Sequence, residues 1–327
     1  MKIVDVCAFY TPHGGGVRTY IDRKLQVARS LGQEMTVIVP GADNRTEHRR
    51  NGGRVIHVAS PKLVLDRRYR FFDDEAAIHA ILDAEAPDMV EASSPWRTAS
   101  IVASWKGSAP RSLVMHADPL AAYAYRWFGR ISSRQVIDRG FDWFWQHLRR
   151  MGARFDCIIS ANASLTSRLR AGGVAGVVTA PMGVDPNIFS PDLRSGVIRR
   201  ELLARCGLDE NATLLLGVGR HSPEKRWPLV VDAVSSAGLS RPVGLVIIGD
   251  GRDRDSLARH IGGNPHVHLL APIKDRHLLA RVLASGDALF HGCEAETFGL
   301  VAAEAAASGL PLIVPDEGGA SDLVSAE

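Results

Sequence analysis

The sequence predicts an α/β protein of two doubly wound domains, and three observations predict it. Apolar runs of strand length alternate with segments of helical periodicity along nearly the whole chain, the pattern of parallel sheets covered by helices. That rhythm breaks at Ala180-Pro181-Met182-Gly183-Val184-Asp185-Pro186, where prolines and glycine mark a crossover. The length of 327 residues suits two domains of roughly 100–200 residues better than one. The expected division is 1–181 and 182–327. The two sheets are expected to face each other across a cleft, with ligands at the carboxyl ends of their strands.

In the first half, strands are predicted at Lys2–Phe9, Met35–Val39, Met89–Ala92, Ser112–His116, Cys157–Ser160 and Val177–Ala180. After Gly14-Gly15-Gly16, the residues Val17, Tyr20, Ile21, Leu25, Ala28 and Leu31 recur at helical spacing, and Gly32 stops that helix. Gly41–Gly53 reads as a polar, basic loop. In the second half the strands are Thr213–Val218, Val243–Ile248, Val267–Leu270, Ala288–His291 and Leu312–Val314. The helices between them are Trp227–Ala237, Asp253–Ile261, Arg276–Ala284 and Phe298–Ser308.

Composition narrows the class. With 46% hydrophobic and 23% charged residues, the chain is neither disordered nor collagen-like. No apolar run approaches the roughly 18 residues of a spanning helix. Asp5 interrupts the N-terminal stretch where a signal peptide needs apolar residues, so a cytoplasmic protein is expected. Cys7, Cys157, Cys206 and Cys293 are too scattered for a CxxC-type metal site or a disulfide framework. Over 1–180, 25 Lys and Arg minus 17 Asp and Glu give +8; over 181–327, 14 minus 19 give −5. That asymmetry points to an anionic partner for the first half as readily as to an unevenly solvated surface.

Several motifs bear on chemistry. The runs beginning at Gly14, Gly217 and Gly249 each miss the last glycine of the dinucleotide fingerprint, and no GxxxxGK[ST] loop occurs, which argues against a nicotinamide dehydrogenase. Gly14–Gly16 still lets a ligand approach the backbone closely at the start of a helix. Gly219-Arg220-His221-Ser222-Pro223-Glu224-Lys225 follows a strand directly and offers two cations fit for a diphosphate. Glu296 and Glu304 have seven residues between them, the first before a helix and the second within it. Such carboxylates accept sugar hydroxyls, and the N–H groups near Phe298-Gly299 suit phosphate. Small apolar neighbours around Glu304 argue against a fully solvated position. Asp253-Arg254-Asp255 has the form of a manganese motif, but acids are also favoured where a helix opens.

Glu296-x7-Glu304 with its Thr297-Phe298-Gly299 insert resembles the donor-site signature of the family 4 retaining glycosyltransferases. So do Ala307-Ser308-Gly309-Leu310-Pro311, Gly318-Gly319, Gly183-Val184-Asp185…Phe189-x-Pro191, Gly219-Arg220…Glu224-Lys225 and Gly249-Asp250-Gly251, in order and spacing. The resemblance implies a GT-B fold, two Rossmann-like domains with the nucleotide sugar on the C-terminal one and the acceptor mostly on the N-terminal one. It implies catalytic roles for His116, Arg220, Lys225 and Glu296. It implies nucleotide-sugar contacts at Gly15, Gly16, Arg220, Lys225, Glu296, Phe298, Gly299, Leu300 and Glu304. The implied reaction moves a hexose from a UDP- or GDP-sugar to a hydroxyl acceptor with retention, without a protein nucleophile.

No metal and no cofactor beyond the donor are expected, and no nucleic-acid partner. A nucleotide-sugar epimerase and a non-catalytic nucleotide-sugar-binding protein are the alternatives. This chain departs from the family's pattern at His291-Gly292-Cys293-Glu294-Ala295, where Pro-Ser is usual, and at Asp322, where Glu often follows the paired glycines. The C-terminal domain reads as truncated at Glu327. Arg45, Arg49, Arg50, Arg54, Arg67, Arg68 and Arg70, with Arg149, Arg150 and Arg154 beside Phe141, Trp143, Phe144 and Trp145, suit contact with an anionic membrane face. The competing expectation packs Phe141, Phe144 and Trp145 as core. An acceptor that is lipid-linked or otherwise anionic follows from the membrane reading.

Overall fold

The structure, a computed structural model, describes residues 1–11, 15–50, 53–64, 67, 69–116, 118, 120, 124–129, 131–296 and 298–324. The chain forms two compact units, one of Met1–Asp118 with Ala124–Pro181 and one built on Met182–Glu327.

The first unit runs β1 (Lys2–Val6), α1 (Gly15–Ser30), β2 (Glu34–Gly41), β3 (Arg45–His48), β4 (Arg54–Ala59), α2 (Glu75–Glu85), β5 (Met89–Ala92), α3 (Arg97–Ser104) and β6 (Arg111–Met115). It continues with α4 (Tyr125–Phe128), α5 (Arg134–Gly140), α6 (Asp142–Gly152), β7 (Cys157–Ser160), α7 (Ala163–Ala171) and β8 (Val177–Thr179). Its eight strands lie in the order β3-β4-β2-β1-β5-β6-β7-β8, all pairs parallel except β3 with β4. The Gly41–Gly53 segment is therefore not simply a loop. Arg45–His48 pairs with Arg54–Ala59 as an edge ribbon, and its charged residues, which masked the strand period, stand in solvent as an edge favours. The first strand also stops at Val6, short of Phe9.

The second unit runs α8 (Gly196–Arg205), β9 (Thr213–Val218), α9 (Trp227–Ala237), β10 (Val243–Ile248), α10 (Arg254–Ile261), β11 (Val267–Leu270), α11 (Arg276–Ala284), β12 (Ala288–Phe290), α12 (Leu300–Ala307) and β13 (Leu312–Ile313). Its parallel five-stranded sheet has the order β11-β10-β9-β12-β13. Alternation across the pleat explains its unbroken apolar strands. Leu214, Leu216, Val246 and Ile248 face one core, while Leu215, Val243, Leu245 and Ile247 face the other. Burying both faces leaves the carboxyl edge of the sheet as the place for polar loops, and the Gly219–Lys225, Gly249–Gly251 and His291–Glu296 segments follow β9, β10 and β12 there.

The predicted helix Phe298–Ser308 begins two residues later, at Leu300. Gly299 is left-handed at φ 78°, a conformation that a helix interior does not use. Phe298 is turned into the interior, 5% exposed.

Candidate active site

The loop after β9 is shaped by close backbone approach. A Cβ on Gly249 would stand 1.9 Å from the Gly219 carbonyl oxygen, and one on Gly251 would stand 2.4 Å from that of His221. His221 N–H donates to the Asp250 carbonyl (2.9 Å), and the His221 carbonyl accepts from Asp253 N–H (3.1 Å). The Gly249-Asp250-Gly251 motif thus interlocks two loops at the sheet edge. His221, wholly buried between them, keeps both ring nitrogens from solvent. The loop then closes in a short 3-10 turn over Pro223–Lys225, with Arg226 left-handed at φ 52° before α9. Trp227 packs beneath: its Nε1 donates to the Arg220 carbonyl at 2.8 Å, and Gly217 leaves room for its ring. Arg220 itself is exposed on this loop.

Lys225 turns the other way. Its Nζ lies 2.5 Å from Glu296 Oε2, joining the loop after β9 to the one after β12. Gly292 permits that approach, since a Cβ there would meet the Lys225 carbonyl at 3.1 Å. Gly318, left-handed at φ 89°, packs on the Glu294 and Glu296 carbonyls, and Gly319 N–H donates to the latter at 2.6 Å. Both ionised states are secured. Burial pushes the Glu296 carboxyl up, yet the Lys225 charge and His291 together hold it well below the usual carboxylate range. Burial likewise depresses Lys225, and Glu296 outweighs it, so the ammonium is held above its ordinary value.

Glu304 lies in α12, 3% exposed, and its Oε1 accepts from Arg276 Nη2 at 2.8 Å. Arg276 opens α11, with its guanidinium 5.0 Å from the centre of the Phe189 ring. The N-terminus of α12 at Leu300 presents the N–H groups of a helix's first turn. Thr297 and Gly14 lie outside the described residues. Of the Asp253-Arg254-Asp255 motif, Asp253 pairs with Arg252 at 3.5 Å, and Asp255 stands in the first turn of α10. A cluster that sequence reading missed, His291, Cys293 and Glu296, brings three potential ligand atoms within 4.8 Å of one another.

In the first unit, Gly15 and Gly16 open α1. His116 directly follows β6, its ring edge-on to Tyr20 at 4.9 Å between centroids. Neither ring nitrogen has a hydrogen-bond partner among the described residues, and burial lowers the imidazole to about 4, so it is neutral at neutral pH. Beneath it, Asp5, Glu91 and Ser112 stand in register on β1, β5 and β6. Lys24 of α1 binds both carboxylates, at 3.2 Å for Asp5 Oδ2. Lys24 and Glu91 in the first unit, and Arg276 in the second, carry no motif signal; only the folded chain gives them their partners.

Of the aromatic stretch, Phe144 and Trp145 enter the core, as the competing expectation has it, while Trp143 is 57% exposed and pairs with exposed Trp96 at 6.2 Å. Arg150 and Arg154 are exposed nearby in sequence, and Arg68 lies outside the described residues. No helix among the described residues is long and apolar enough to cross a membrane.

Comparison with known proteins gives the family and the fold. Residues 14–188 match the model of Glycosyltransferase Family 4, and residues 199–327 that of Glycosyl transferases group 1. The chain is 28% identical to a GDP-mannose-dependent alpha-(1-6)-phosphatidylinositol dimannoside mannosyltransferase of Mycobacterium tuberculosis, covering 100% of this chain and 82% of the relative. It is 29% identical to a GDP-mannose-dependent alpha-mannosyltransferase of the same species, covering 99% and 82%. Among solved structures, sucrose-phosphate synthase from Thermosynechococcus elongatus aligns with a TM-score of 0.75 at 17% identity, covering 98% of this chain and 82% of that one. HepE of Anabaena, solved with UDP and glucose, aligns at 0.69 and 18%, covering 100% and 83%. These likenesses establish the GT-B fold, and with the family match the conclusion is direct: the chain belongs to glycosyltransferase family 4, a glycosyltransferase that moves sugar from a nucleotide sugar to an acceptor.

Proposed function

We propose that this enzyme transfers a hexose, mannose from GDP-mannose foremost, to a hydroxyl of a lipid-linked or otherwise anionic acceptor, with retention at the anomeric carbon. The observation that carries the reading is the Lys225–Glu296 pair at 2.5 Å, two opposite charges fixed at the carboxyl edge of the second sheet. The donor preference is supported by the two mannosyltransferase relatives, both dependent on GDP-mannose. The acceptor class is supported by the phosphatidylinositol glycolipid named for one of them.

Each residue then has a task. As the glycosidic bond breaks, negative charge grows on the leaving diphosphate. Lys225 and exposed Arg220 offset it from a preorganised loop, with no metal required. Glu296, held ionised, accepts hydrogen bonds from the transferred sugar's hydroxyls, and Glu304 accepts them from the ribose. Backbone N–H groups at Gly15, Gly16, Gly299 and Leu300 serve the phosphates, and Phe298 anchors its turn in the core. His116, neutral, offers a ring nitrogen to the transferred sugar. The unit ending at Pro181 serves the acceptor and the unit from Met182 the donor. The enzyme works in the cytoplasm, peripherally at an anionic membrane face through the first unit.

A thermal-shift screen with GDP, UDP, ADP and their sugars tests the donor assignment, because a ligand that binds only the folded state raises its stability by mass action. GDP and GDP-mannose should give the largest shifts. Stabilisation by UDP alone would overturn the donor, and GDP-mannose turnover to a free sugar nucleotide without acceptor would mark an epimerase.

A further inference from the structure

His291, Cys293 and Glu296 follow β12 within one turn of chain and bring an imidazole nitrogen, a sulfur and a carboxylate oxygen within 4.8 Å of one another. His291 and Cys293 are 3% and 2% exposed. Among the described residues His291 Nε2 is closed to solvent and has no hydrogen-bond partner of good geometry; Glu296 Oε2, at 3.5 Å, is a long contact. A buried imidazole nitrogen in that condition needs an explanation, and metal ligation is among its main roles. The spot already accommodates positive charge, since the Lys225 ammonium lies 2.5 Å from the same Glu296 oxygen.

We propose that His291, Cys293 and Glu296 form a zinc site whose occupation displaces Lys225 and switches transfer off. A mixed nitrogen, sulfur and oxygen set is one that zinc accepts, and three protein ligands leave its fourth position open. Ligands bonded at about 2.0–2.3 Å in a tetrahedron stand roughly 3.3–3.8 Å apart, so side-chain shifts of about an ångström close this cluster on an ion. On entry the Cys293 thiol gives its proton to solvent and binds as thiolate. The Lys225 ammonium keeps its proton and moves aside on its flexible stem. The ion thereby withdraws both Lys225 and Glu296 from the donor. This inhibitory consequence rests on the donor-site reading above; the binding of zinc does not.

The test titrates the metal-stripped, full-length protein with Co²⁺ as a spectroscopic stand-in for zinc. A tetrahedral site produces intense visible bands and a sulfur-to-cobalt charge-transfer band, both abolished in Cys293→Ser or, should that variant fail to fold, in Cys293→Ala. Lys225→Ala, relieved of the competing ammonium, should take up Co²⁺ more tightly. Zn²⁺ should inhibit wild-type transfer, and at least about tenfold more should be needed in Cys293→Ser, whose metal-free transfer matches wild type. No thiolate band in the folded wild type, or an equal band in Cys293→Ser, overturns the site. Thiolate binding with uninhibited transfer overturns the switch. A protein that gives the cobalt spectrum but transfers no sugar overturns the proposed function and leaves the site standing.

Discussion

Asp5 and Glu91 stand directly opposite one another on adjacent parallel strands, and a single ammonium, that of Lys24, binds both carboxylates. Ser93 donates to Asp5 at 3.0 Å and Ser112 to Glu91 at 3.2 Å, so with Lys24 three side chains support the buried acids. Removing the shared cation leaves two carboxylates facing each other out of water. Lys24→Met should therefore cost about 3–5 kcal/mol, the scale seen when one partner of a buried ion pair is removed. Urea unfolding measures it, and a loss under about 1 kcal/mol, the scale of surface pairs, would show the cluster to be solvated.

The same cluster gives a pH signature. Burial pushes the Asp5 carboxyl up to about 7, with Lys24 pulling down and Glu91 pushing up. A carboxyl whose folded pKa exceeds its unfolded value binds its proton more tightly when folded. Its contribution to stability is therefore present below about pH 4 and is lost as pH rises through the folded value. Asp5→Asn is neutral throughout, so unfolding free energies measured from about pH 4 to 8 should decline less with pH than in wild type. Parallel profiles would contradict a raised Asp5.

Transfer should depend on Lys225 in two separable ways. In the proposed reading Lys225→Ala removes charge that offsets the leaving diphosphate and should lower kcat by about 10²–10³. It also removes the cation that holds Glu296 ionised. Burial then acts with only His291 opposing it, and the acid limb of the pH–rate profile moves to higher pH. Arg220→Ala should lower turnover without moving that limb, because Glu296 owes its depressed pKa to Lys225 and His291. Unchanged transfer in Arg220→Ala would remove that residue from the diphosphate site.

How much of this was legible in the sequence depends on the range of the signal. Met89–Ala92, Cys157–Ser160, Thr213–Val218, Val243–Ile248 and Val267–Leu270 fall where their apolar runs place them, because burial on two faces leaves a local record. The strand Arg45–His48, at the sheet edge, was hidden because edge strands carry charge, and charge reads as loop. Glu296 and Glu304 were legible through their spacing. Their partners were not: Lys225 and Arg276 meet them across 71 and 28 residues, and no local period encodes such a pairing. Lys24 with Glu91, 67 residues apart, was hidden for the same reason.

Chelation should leave transfer intact. In the proposed reading the charge that a metal would supply at the diphosphate comes from Lys225 and Arg220, while Asp253 pairs with Arg252 and Asp255 stands in the first turn of α10, where the helix dipole favours an acid. Assays after EDTA treatment should show no loss of activity against untreated enzyme. Activity lost to EDTA and restored by Mn²⁺ would return those two aspartates to consideration as ligands.

Membrane contact gives the last prediction. Trp96 and Trp143 form an exposed aromatic pair at 6.2 Å, while Phe144 and Trp145 beside them are spent on the core. Two large rings left in solvent next to a segment carrying Arg149, Arg150 and Arg154 combine the chemistry that a headgroup layer takes up: amphipathic rings among the lipids and cations against anionic phosphate. Arg149 is partly engaged, with Asp142 at 3.2 Å and the Gly172 carbonyl at 3.0 Å, so Arg150 and Arg154 carry the argument. Each exposed arginine is worth about 1 kcal/mol near an anionic surface, and that attraction weakens as salt shortens the screening length. The protein should co-sediment with vesicles rich in phosphatidylglycerol or phosphatidylinositol and not with phosphatidylcholine alone. Raising salt should release it. Arg150→Ala with Arg154→Ala should weaken binding by roughly tenfold or more, as the loss of about 2 kcal/mol requires. Replacing both tryptophans with alanine should weaken binding with little change in its salt dependence, because the rings contribute no charge. Equal indifference to both vesicle types would assign the acceptor to solution and leave the Trp96–Trp143 pair to another role.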